Sequence, residues 1–348
     1  MADFSDIYDQ EQMKEHMQYV LKTDKASHAY IISGEDGSGK EFIARVFAKA
    51  LQCSNKQEKD GEIESCGLCP SCIKAMSDNH PDIITITHDK PASIGVDDIR
   101  LRLRDDVVIK PYESKYKIYI IPEGEKMTIA AQNALLKTLE EPPSYIVIII
   151  LTNNLNAFLP TIISRCIVLP TRPVRDEVIK KYLMENCHVV DYKAELSAAF
   201  ARGNIGKALE LSSNERFENL KNETIDLVVK LENLEIYQMM ERVHALLEPV
   251  DGEEKNAKKG IDMRQYEDFV DILLFLFRDM LVFKATENTD HLIFTDKVSY
   301  ISSVTKKCSY DDISSILKDI DIAKNRISSN VNIDLALELM LIGIKEHL

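Results

Sequence analysis

A glycine-rich loop between an apolar run and a helix-like segment constrains this chain more than any other feature. The loop reads Gly34-Glu-Asp-Gly-Ser-Gly-Lys40-Glu41, with Ala29-Tyr-Ile-Ile-Ser33 before it and Phe42 to Leu51 after it. A strand, a glycine loop and a helix form the context in which backbone N–H groups and a helix N-terminus bind phosphate. The sequence therefore predicts a phosphate-binding loop in which Lys40 reaches the outer phosphates of a nucleotide.

One position of this loop departs from a working nucleotide site. Lys40 is followed by Glu41, where a serine or threonine hydroxyl would ligate the magnesium that accompanies the nucleotide. The carboxylate of Glu41 would instead repel phosphate oxygens. The glycines Gly34, Gly37 and Gly39 are present together with the lysine, so binding of ATP or ADP without hydrolysis stays an open alternative.

The composition predicts a globular, multidomain protein. A chain of 348 residues with 45% hydrophobic and 29% charged residues is long enough for two or three domains. The net charge of −14 argues against a protein that grips DNA over a large surface, because phosphate neutralisation needs clustered lysine and arginine. Any contact with nucleic acid should be local or made through partners.

Two segments bear on the compartment. The start, Met1-Ala-Asp-Phe-Ser-Asp6, has neither the basic region nor the apolar core of a signal peptide. The most apolar late run, Phe269 to Phe283, contains three charged residues and is too short to span a bilayer. We read it as a buried helix and expect a cytoplasmic protein with no membrane partner.

Short apolar runs alternate with helical patterns through the first half of the chain. The predicted strands are Ala29–Ser33, Ile83–Thr87, Lys117–Ile121, Tyr145–Leu151 and Cys166–Leu169. The segment from Val96 to Val108 is predicted to be a helix. Such alternation indicates a doubly wound α/β domain with a five-stranded parallel sheet.

After Pro173 the strand pattern disappears and helical segments follow. We therefore predict three domains: an α/β domain over residues 1–170, a small helical domain over 171–212 and an all-α domain over 213–348. A loop is expected from Asp251 to Gly260, where charged residues are flanked by glycine.

Four of the seven cysteines fall close together in the sequence. They are Cys53, Cys66, Cys69 and Cys72. In a reducing compartment, two successive Cys-x-x-Cys steps and a fourth thiol can surround one tetrahedral zinc ion, and four sulfurs leave no place for a reactive water. The predicted site is a structural zinc module over residues 53–72. An iron–sulfur cluster and a metal-free dithiol are the alternatives. His28 and His80 have no partners at ligand spacing.

Two later motifs carry a resemblance to a known family. Asn133-Ala-Leu-Leu-Lys-Thr-Leu-Glu-Glu-Pro-Pro143 and Leu159-Pro-Thr-Ile-Ile-Ser-Arg-Cys166 resemble signatures of the bacterial DNA polymerase III clamp-loader subunits, which are AAA+ proteins. The resemblance covers about residues 25–210 and includes the cysteine module and Ser27–Tyr30. It implies an AAA+ P-loop domain with a zinc module, a small helical lid and an all-α collar for oligomerisation.

Departures from the motif separate two types within that family. The ATP-hydrolysing type, gamma/tau, carries an Asp-Glu pair after the third strand and an arginine in the lid. The matching residues here are Pro122-Glu123 and Gly206, with Lys207 one step away. Proline cannot ligate a metal, and Glu125 is expected to be a poor substitute because it lies two residues beyond Glu123. The chain thus resembles the non-hydrolysing type, delta prime, and we expect no intrinsic ATPase activity.

The Ser-Arg-Cys motif is intact, which predicts a role for Arg165. In the family this arginine acts in trans, at the γ-phosphate of a neighbouring subunit, where such groups are worth about 10³–10⁵ in rate. The alternative is a structural arginine at a strand edge. Asn153, at the end of the fourth predicted strand, matches the family's nucleotide sensor.

The resemblance also implies partners. These are the delta and gamma/tau subunits of a hetero-pentameric ring and, through the assembled complex, the sliding clamp and primer-template DNA. Nucleotidyl transfer would belong to the polymerase holoenzyme and not to this subunit. Two rival functions are an active gamma/tau-like clamp-loader ATPase and a zinc-dependent DNA-binding module.

Overall fold

The chain forms two compact units in a computed structural model that describes residues 3–59, 61–87, 93–249, 257–258, 261–328 and 332–348. One unit is Met1–Ile179 with Ala201–Lys207, and the other is Lys180–Phe200 with Ala208–Leu348. The predicted loop from Asp251 to Gly260 lies outside the described residues except for Ala257–Lys258. The division into three domains stays a prediction.

The strands of the first unit follow the predicted apolar runs, with one added hairpin. They are β1 (Ala29–Ser33), β2 (Gln57–Lys59), β3 (Glu62–Glu64), β4 (Ile83–Thr85), β5 (Lys117–Ile121), β6 (Ile146–Thr152) and β7 (Ile167–Pro170). Among the described residues, five of them form a parallel sheet in the order β4-β5-β6-β1-β7. The predicted parallel five-stranded α/β fold is confirmed.

Burial explains why β6 is uniformly apolar. All seven of its residues are buried between β5 and β1, with helices on both faces. The pairing of Ser33 with Thr152 places the ends of β1 and β6 together at the carboxyl edge of the sheet. Ligand sites of α/β proteins form at this edge, and the glycine loop leaves from it.

Helices of the first unit cover the two faces of the sheet. They are α1 (Glu11–Thr23), α2 (Lys40–Gln52), α3 (Pro70–Met76), α4 (Val96–Ile99), α5 (Ile129–Glu140) and α6 (Pro160–Ile163). The helix predicted from Val96 to Val108 ends at Arg104, because α4 is followed by a π-helical segment over Arg100–Arg104 and then by turns. Arginines alternate with leucines in this π-helical segment, and only Leu103 is buried, so the segment lacks a continuous apolar stripe.

From residue 176 onward the described chain is almost entirely helical. The elements are α7 (Asp176–Cys187), α8 (Asp191–Ala201), α9 (Ile205–Ser213), α10 (Glu215–Lys230), α11 (Ile236–Leu246), β8 (Ala257–Lys258), β9 (Ile261–Asp262), α12 (Met263–Thr286), α13 (Val298–Thr305), α14 (Tyr310–Ser328) and α15 (Ile333–His347). Helix α12 runs through the core of the second unit, where Phe269, Leu273 and Phe277 are fully buried. The predicted buried helix is confirmed, and none of the described helices is long and apolar enough to cross a membrane.

Candidate functional site

The glycine loop connects β1 to α2 in the conformation that phosphate-binding loops use. Gly37 and Gly39 have φ of +81° and +84°, in the left-handed region that residues with a side chain rarely adopt. Gly39 is the N-cap of α2, and its carbonyl accepts a hydrogen bond from the N–H of Ile43 at 2.9 Å. The N–H of Gly34 is bonded to the carbonyl of Thr152 at 2.9 Å, which fixes the loop to the end of β6.

The ammonium group of Lys40 is directed into the loop itself. Its Nζ donates to the carbonyls of Gly34 and Glu35 at 2.6 Å each, and it lies 3.5 Å from a carboxylate oxygen of Asp36. The lysine side chain is only 11% exposed. Phosphate oxygens would therefore have to compete with these carbonyls for the lysine.

A pocket of about 300 Å³ opens beside the loop, and its lining is acidic. Four carboxylates and one ammonium group line it: Asp36, Glu41, Glu123, Glu125 and Lys40. Carboxylates in excess over the cations around them repel the charges of a triphosphate over these short distances. The pocket has the position of a nucleotide site and the wrong charge for one.

Glu41 and Glu123 are both held in local ion pairs. Glu41 Oε1 lies 2.8 Å from a guanidinium nitrogen of Arg45, one helical turn away. Glu123 has φ of +50°, and its Oε1 lies 2.6 Å from Nζ of Lys126. The residue before Glu123 is Pro122, whose side chain offers no metal ligand.

Glu125 lies in the lining of the pocket, and its expected inability to replace the acidic pair stays a prediction. Its Oε2 accepts hydrogen bonds from the Thr152 hydroxyl at 2.9 Å and from the Asn153 N–H at 3.3 Å. The Asn153 amide in turn donates to Asp36 at 3.0 Å. Glu125 could have been predicted as a pocket residue from its place in the turn after β5, because the chain folds back toward the end of β6 there. Asn153 lies beside the glycine loop, as its place at the end of β6 predicts.

The start of α9 packs directly onto the glycine loop. The N–H of Gly206 donates to the carbonyl of Gly37 at 3.0 Å, and a Cβ built on Gly206 would lie 2.7 Å from the Cα of Gly37. The buried side chain of Asn204 donates to the carbonyl of Asp36 at 2.7 Å and accepts from the N–H of Lys207 at 3.0 Å. This backbone contact leaves no room for an arginine at position 206.

Arg165 lies between α6 and β7, away from the residues that line the acidic pocket. Its guanidinium donates to the carbonyl of Thr161 at 3.0 Å and lies 3.0 Å from Oε1 of Glu140. The side chain is 35% exposed. An arginine held by one surface carboxylate and one carbonyl keeps donors that a phosphate from outside this unit could reach.

The four clustered cysteines come together as a metal site would require. Their Sγ atoms all lie within 4.8 Å of one another, and those of Cys53 and Cys66 are 3.6 Å apart. Zinc–sulfur bonds of about 2.3 Å place the sulfurs of a tetrahedral site about 3.8 Å apart, so the donor set fits zinc. The β2–β3 hairpin, which was not predicted, returns the chain from Cys53 to Cys66.

Backbone N–H groups surround these sulfurs. The N–H of Cys66 points at Sγ of Cys53, and the N–H of Cys69 points at Sγ of Cys66, each at 3.3 Å. Burial raises the pKa of the Cys69 thiol, but hydrogen bonds from Ser54 and from the Cys72 N–H outweigh it and lower that pKa to about 6. Donors of this kind stabilise thiolates, the form that binds metal.

Two family models match the sequence. The model described as DNA polymerase III, delta subunit, matches residues 9–175, and the model described as DNA polymerase III, delta subunit, C terminal, matches residues 258–346. The two together span the glycine loop, the cysteine cluster, Arg165 and the helices from α12 to α15.

Curated relatives include two proteins of Bacillus subtilis (strain 168). DNA polymerase III subunit delta' is 29% identical over 94% of this chain and 93% of its own length. DNA polymerase III subunit tau is 31% identical over 85% of this chain and 53% of its own length. Among solved structures, a DNA polymerase III gamma subunit-related protein from Thermotoga maritima covers 96% of this chain and 99% of its own, at 20% identity and a TM-score of 0.44.

Proposed function

The chain belongs to the DNA polymerase III clamp-loader subunits related to delta', gamma and tau, and from this we propose that it is a non-hydrolysing subunit of the delta' type. In this proposal it helps the assembled loader place the sliding clamp on primed DNA and supplies an arginine to the ATP site of a neighbouring subunit. It contributes to DNA replication by helping to organise the assembled loader, and a neighbouring subunit hydrolyses the ATP.

The acidic pocket beside the glycine loop is the observation that carries the proposal. Phosphoryl transfer depends on magnesium and on positive charge around the γ-phosphate. Here Pro122 and Glu41 replace both magnesium anchors, four carboxylates line the pocket, and Gly206 contacts the loop where the lid arginine of gamma/tau would stand. Nucleotide binding is compatible with the AAA+ fold, and the charge of the pocket predicts that it is weak.

The surface position of Arg165 supports the trans role. A guanidinium group can act on a neighbour only if it reaches the surface, and this side chain is 35% exposed beside Glu140. A glutamate partner holds the planar group in place until a phosphate, with its higher charge, competes for the same donors.

The proposed partners are the delta and gamma/tau subunits of a five-membered ring, with the sliding clamp and primer-template DNA reached through that ring. The proposed compartment is the cytoplasm. The four cysteines would hold zinc, which would fix the hairpin and α3 to the α/β domain and supply no chemistry to the reaction.

ATPase and DNA-binding assays of the purified chain test this proposal against its two rivals. We expect no phosphate release above the level of a Lys40→Ala variant prepared in parallel. Turnover that disappears in Lys40→Ala would identify an active gamma/tau-like ATPase. Tight, salt-sensitive binding to primed DNA by the isolated chain would identify a zinc-dependent DNA-binding module, which the net charge of −14 opposes.

A further inference from the structure

A buried histidine stands between the cysteine cluster and an exposed apolar loop. His80 is only 4% exposed, and both of its ring nitrogens are bonded. Nε2 lies 2.7 Å from the Ser71 hydroxyl, and Nδ1 accepts the N–H of Asp82 at 3.0 Å. Ser71 donates its hydroxyl proton to the carbonyl of Gln52 at 2.9 Å. The Nε2 atom of His80 must therefore be protonated and donate the hydrogen bond to the Ser71 oxygen. The imidazole is thereby assigned as neutral, and burial lowers its pKa.

On the cysteine side, Ser71 joins two of the segments that carry the sulfurs. It lies in α3, between Cys69 at the N-cap and the fully buried Cys72. Its bond to Gln52 reaches the residue that directly precedes Cys53. One hydroxyl thus ties α3 to the end of α2, and His80 supports that hydroxyl from the sheet side.

On the other side, the carboxylate of Asp82 anchors the loop before β5. Asp82 is 1% exposed and accepts the backbone N–H groups of Tyr112 at 2.6 Å, Glu113 at 2.8 Å and Ser114 at 3.1 Å. A carboxylate that binds three N–H groups fixes the backbone it holds. Lys74 of α3 also pairs with Glu113.

The anchored loop presents apolar side chains to the surface. Val108 is 76% exposed, Ile109 53% and Tyr112 84%. A loop with this much exposed apolar surface keeps one conformation only if its backbone is held, and the bonds to Asp82 hold it. The chain of contacts therefore runs from the cysteines through Ser71, His80 and Asp82 to residues 108–114.

We propose that Ser71, His80 and Asp82 form a positioning relay through which metal binding at the four cysteines fixes the loop 108–114. His80 is a positioning residue in this account: it touches neither the metal nor any partner. The relay does not depend on the clamp-loader function, because every contact in it lies within the α/β unit.

The variant His80→Ala tests the relay in the zinc-loaded full chain, by chelator competition for zinc and by hydrogen exchange of the backbone amides. Loss of an outer-shell group bonded directly to a metal ligand costs about 10–100-fold in metal affinity, and His80 acts one contact further out through Ser71, so we expect a weakening of about tenfold or somewhat less. We also expect at least tenfold faster exchange at Tyr112, Glu113 and Ser114, with the amides of β6 unchanged. His80→Gln, which keeps a donor near the position of Nε2, should recover most of the zinc affinity.

His16→Ala is the matched control, because His16 is a partly buried histidine of the same unit whose Nε2 has no hydrogen-bond partner among the described residues. It should leave zinc affinity and loop exchange unchanged. If His80→Ala does not fold, Ser71→Ala removes only one hydroxyl and should weaken zinc binding and loosen the loop in the same direction. Unchanged zinc affinity, or unchanged exchange of the loop amides, in the folded variant would overturn the relay.

Discussion

The backbone of Gly206 contacts the backbone of Gly37, with the N–H of one bonded to the carbonyl of the other at 3.0 Å. This contact closes the start of α9 onto the glycine loop. A side chain at position 206 has no room here, because a Cβ would lie 2.7 Å from the Cα of Gly37, so the start of α9 rests on the loop.

Gly206→Ala should therefore destabilise the α/β unit. Its new Cβ would lie 2.7 Å from the Cα of Gly37, which forces α9 and the loop apart. Overpacking against backbone costs about 1–3 kcal/mol. Urea denaturation of the wild type and of Gly206→Ala measures this loss of unfolding free energy. Gly95→Ala, where the nearest atom would be 3.4 Å away, should lose only about 1 kcal/mol of unfolding free energy, from a weaker helix cap. Equal losses of unfolding free energy in Gly206→Ala and Gly95→Ala would show that the contact between Gly206 and Gly37 relaxes without cost.

The cysteine cluster predicts about one zinc ion per chain. Elemental analysis of the purified protein measures the ratio of zinc to chain. Cys72 is fully buried, and Cys72→Ser should abolish zinc binding. Cys187→Ser is the control, because Cys187 is exposed and lies outside the cluster. Iron in place of zinc, with the absorption of an iron–sulfur cluster, would assign the other metal. Full zinc content in Cys72→Ser would remove Cys72 from the site.

A buried carboxyl predicts a specific pH dependence of stability. Burial raises the pKa of Asp279 to about 6, although the N–H groups of Phe294 and Ile293 oppose the shift. The folded state then binds the proton more tightly than the unfolded chain, so this carboxyl stabilises the fold most below about pH 4. Its contribution falls as pH rises to about 6, by on the order of 3 kcal/mol.

Comparison with Asp279→Asn isolates this effect, because other carboxyls titrate in the same range. The difference in free energy of unfolding between wild type and variant should change between pH 4 and 6 and level off above pH 6. Denaturation at four or five pH values measures it. Parallel curves for the two proteins across that range would mean that Asp279 has an ordinary pKa in the folded state.

The sequence predicted the elements that have local signatures. The apolar runs gave the strands, because parallel strands buried on both faces need continuous apolar residues. The glycine loop and the spacing of Cys66, Cys69 and Cys72 were equally informative, since each depends on residues close in the chain. The hairpin β2–β3 was missed because its short strands are mostly charged and carry no strand pattern, and those residues are exposed in β2.

Features made by distant segments could not be predicted in this way. Glu125 reaches the pocket because Glu123 takes a left-handed conformation, which turns the chain back toward Thr152. His80 meets Ser71 and Ser114 only after β4, α3 and the loop before β5 have packed together. The contact of Gly206 with Gly37 joins residues that are far apart in sequence.

ATP hydrolysis by the reconstituted clamp loader, with wild-type chain or Arg165→Ala, tests the central claim most directly. The chain is combined with its cognate gamma/tau and delta subunits, sliding clamp and primed DNA, and the burst of ATP hydrolysed per complex is counted. A trans arginine is worth about 10³–10⁵ in rate at the site it serves, so Arg165→Ala should silence the adjoining site, and Arg165→Lys should restore little of it. Arg264→Ala, at an exposed arginine of α12, should leave the burst intact. An unchanged burst in an assembled Arg165→Ala complex would contradict the account.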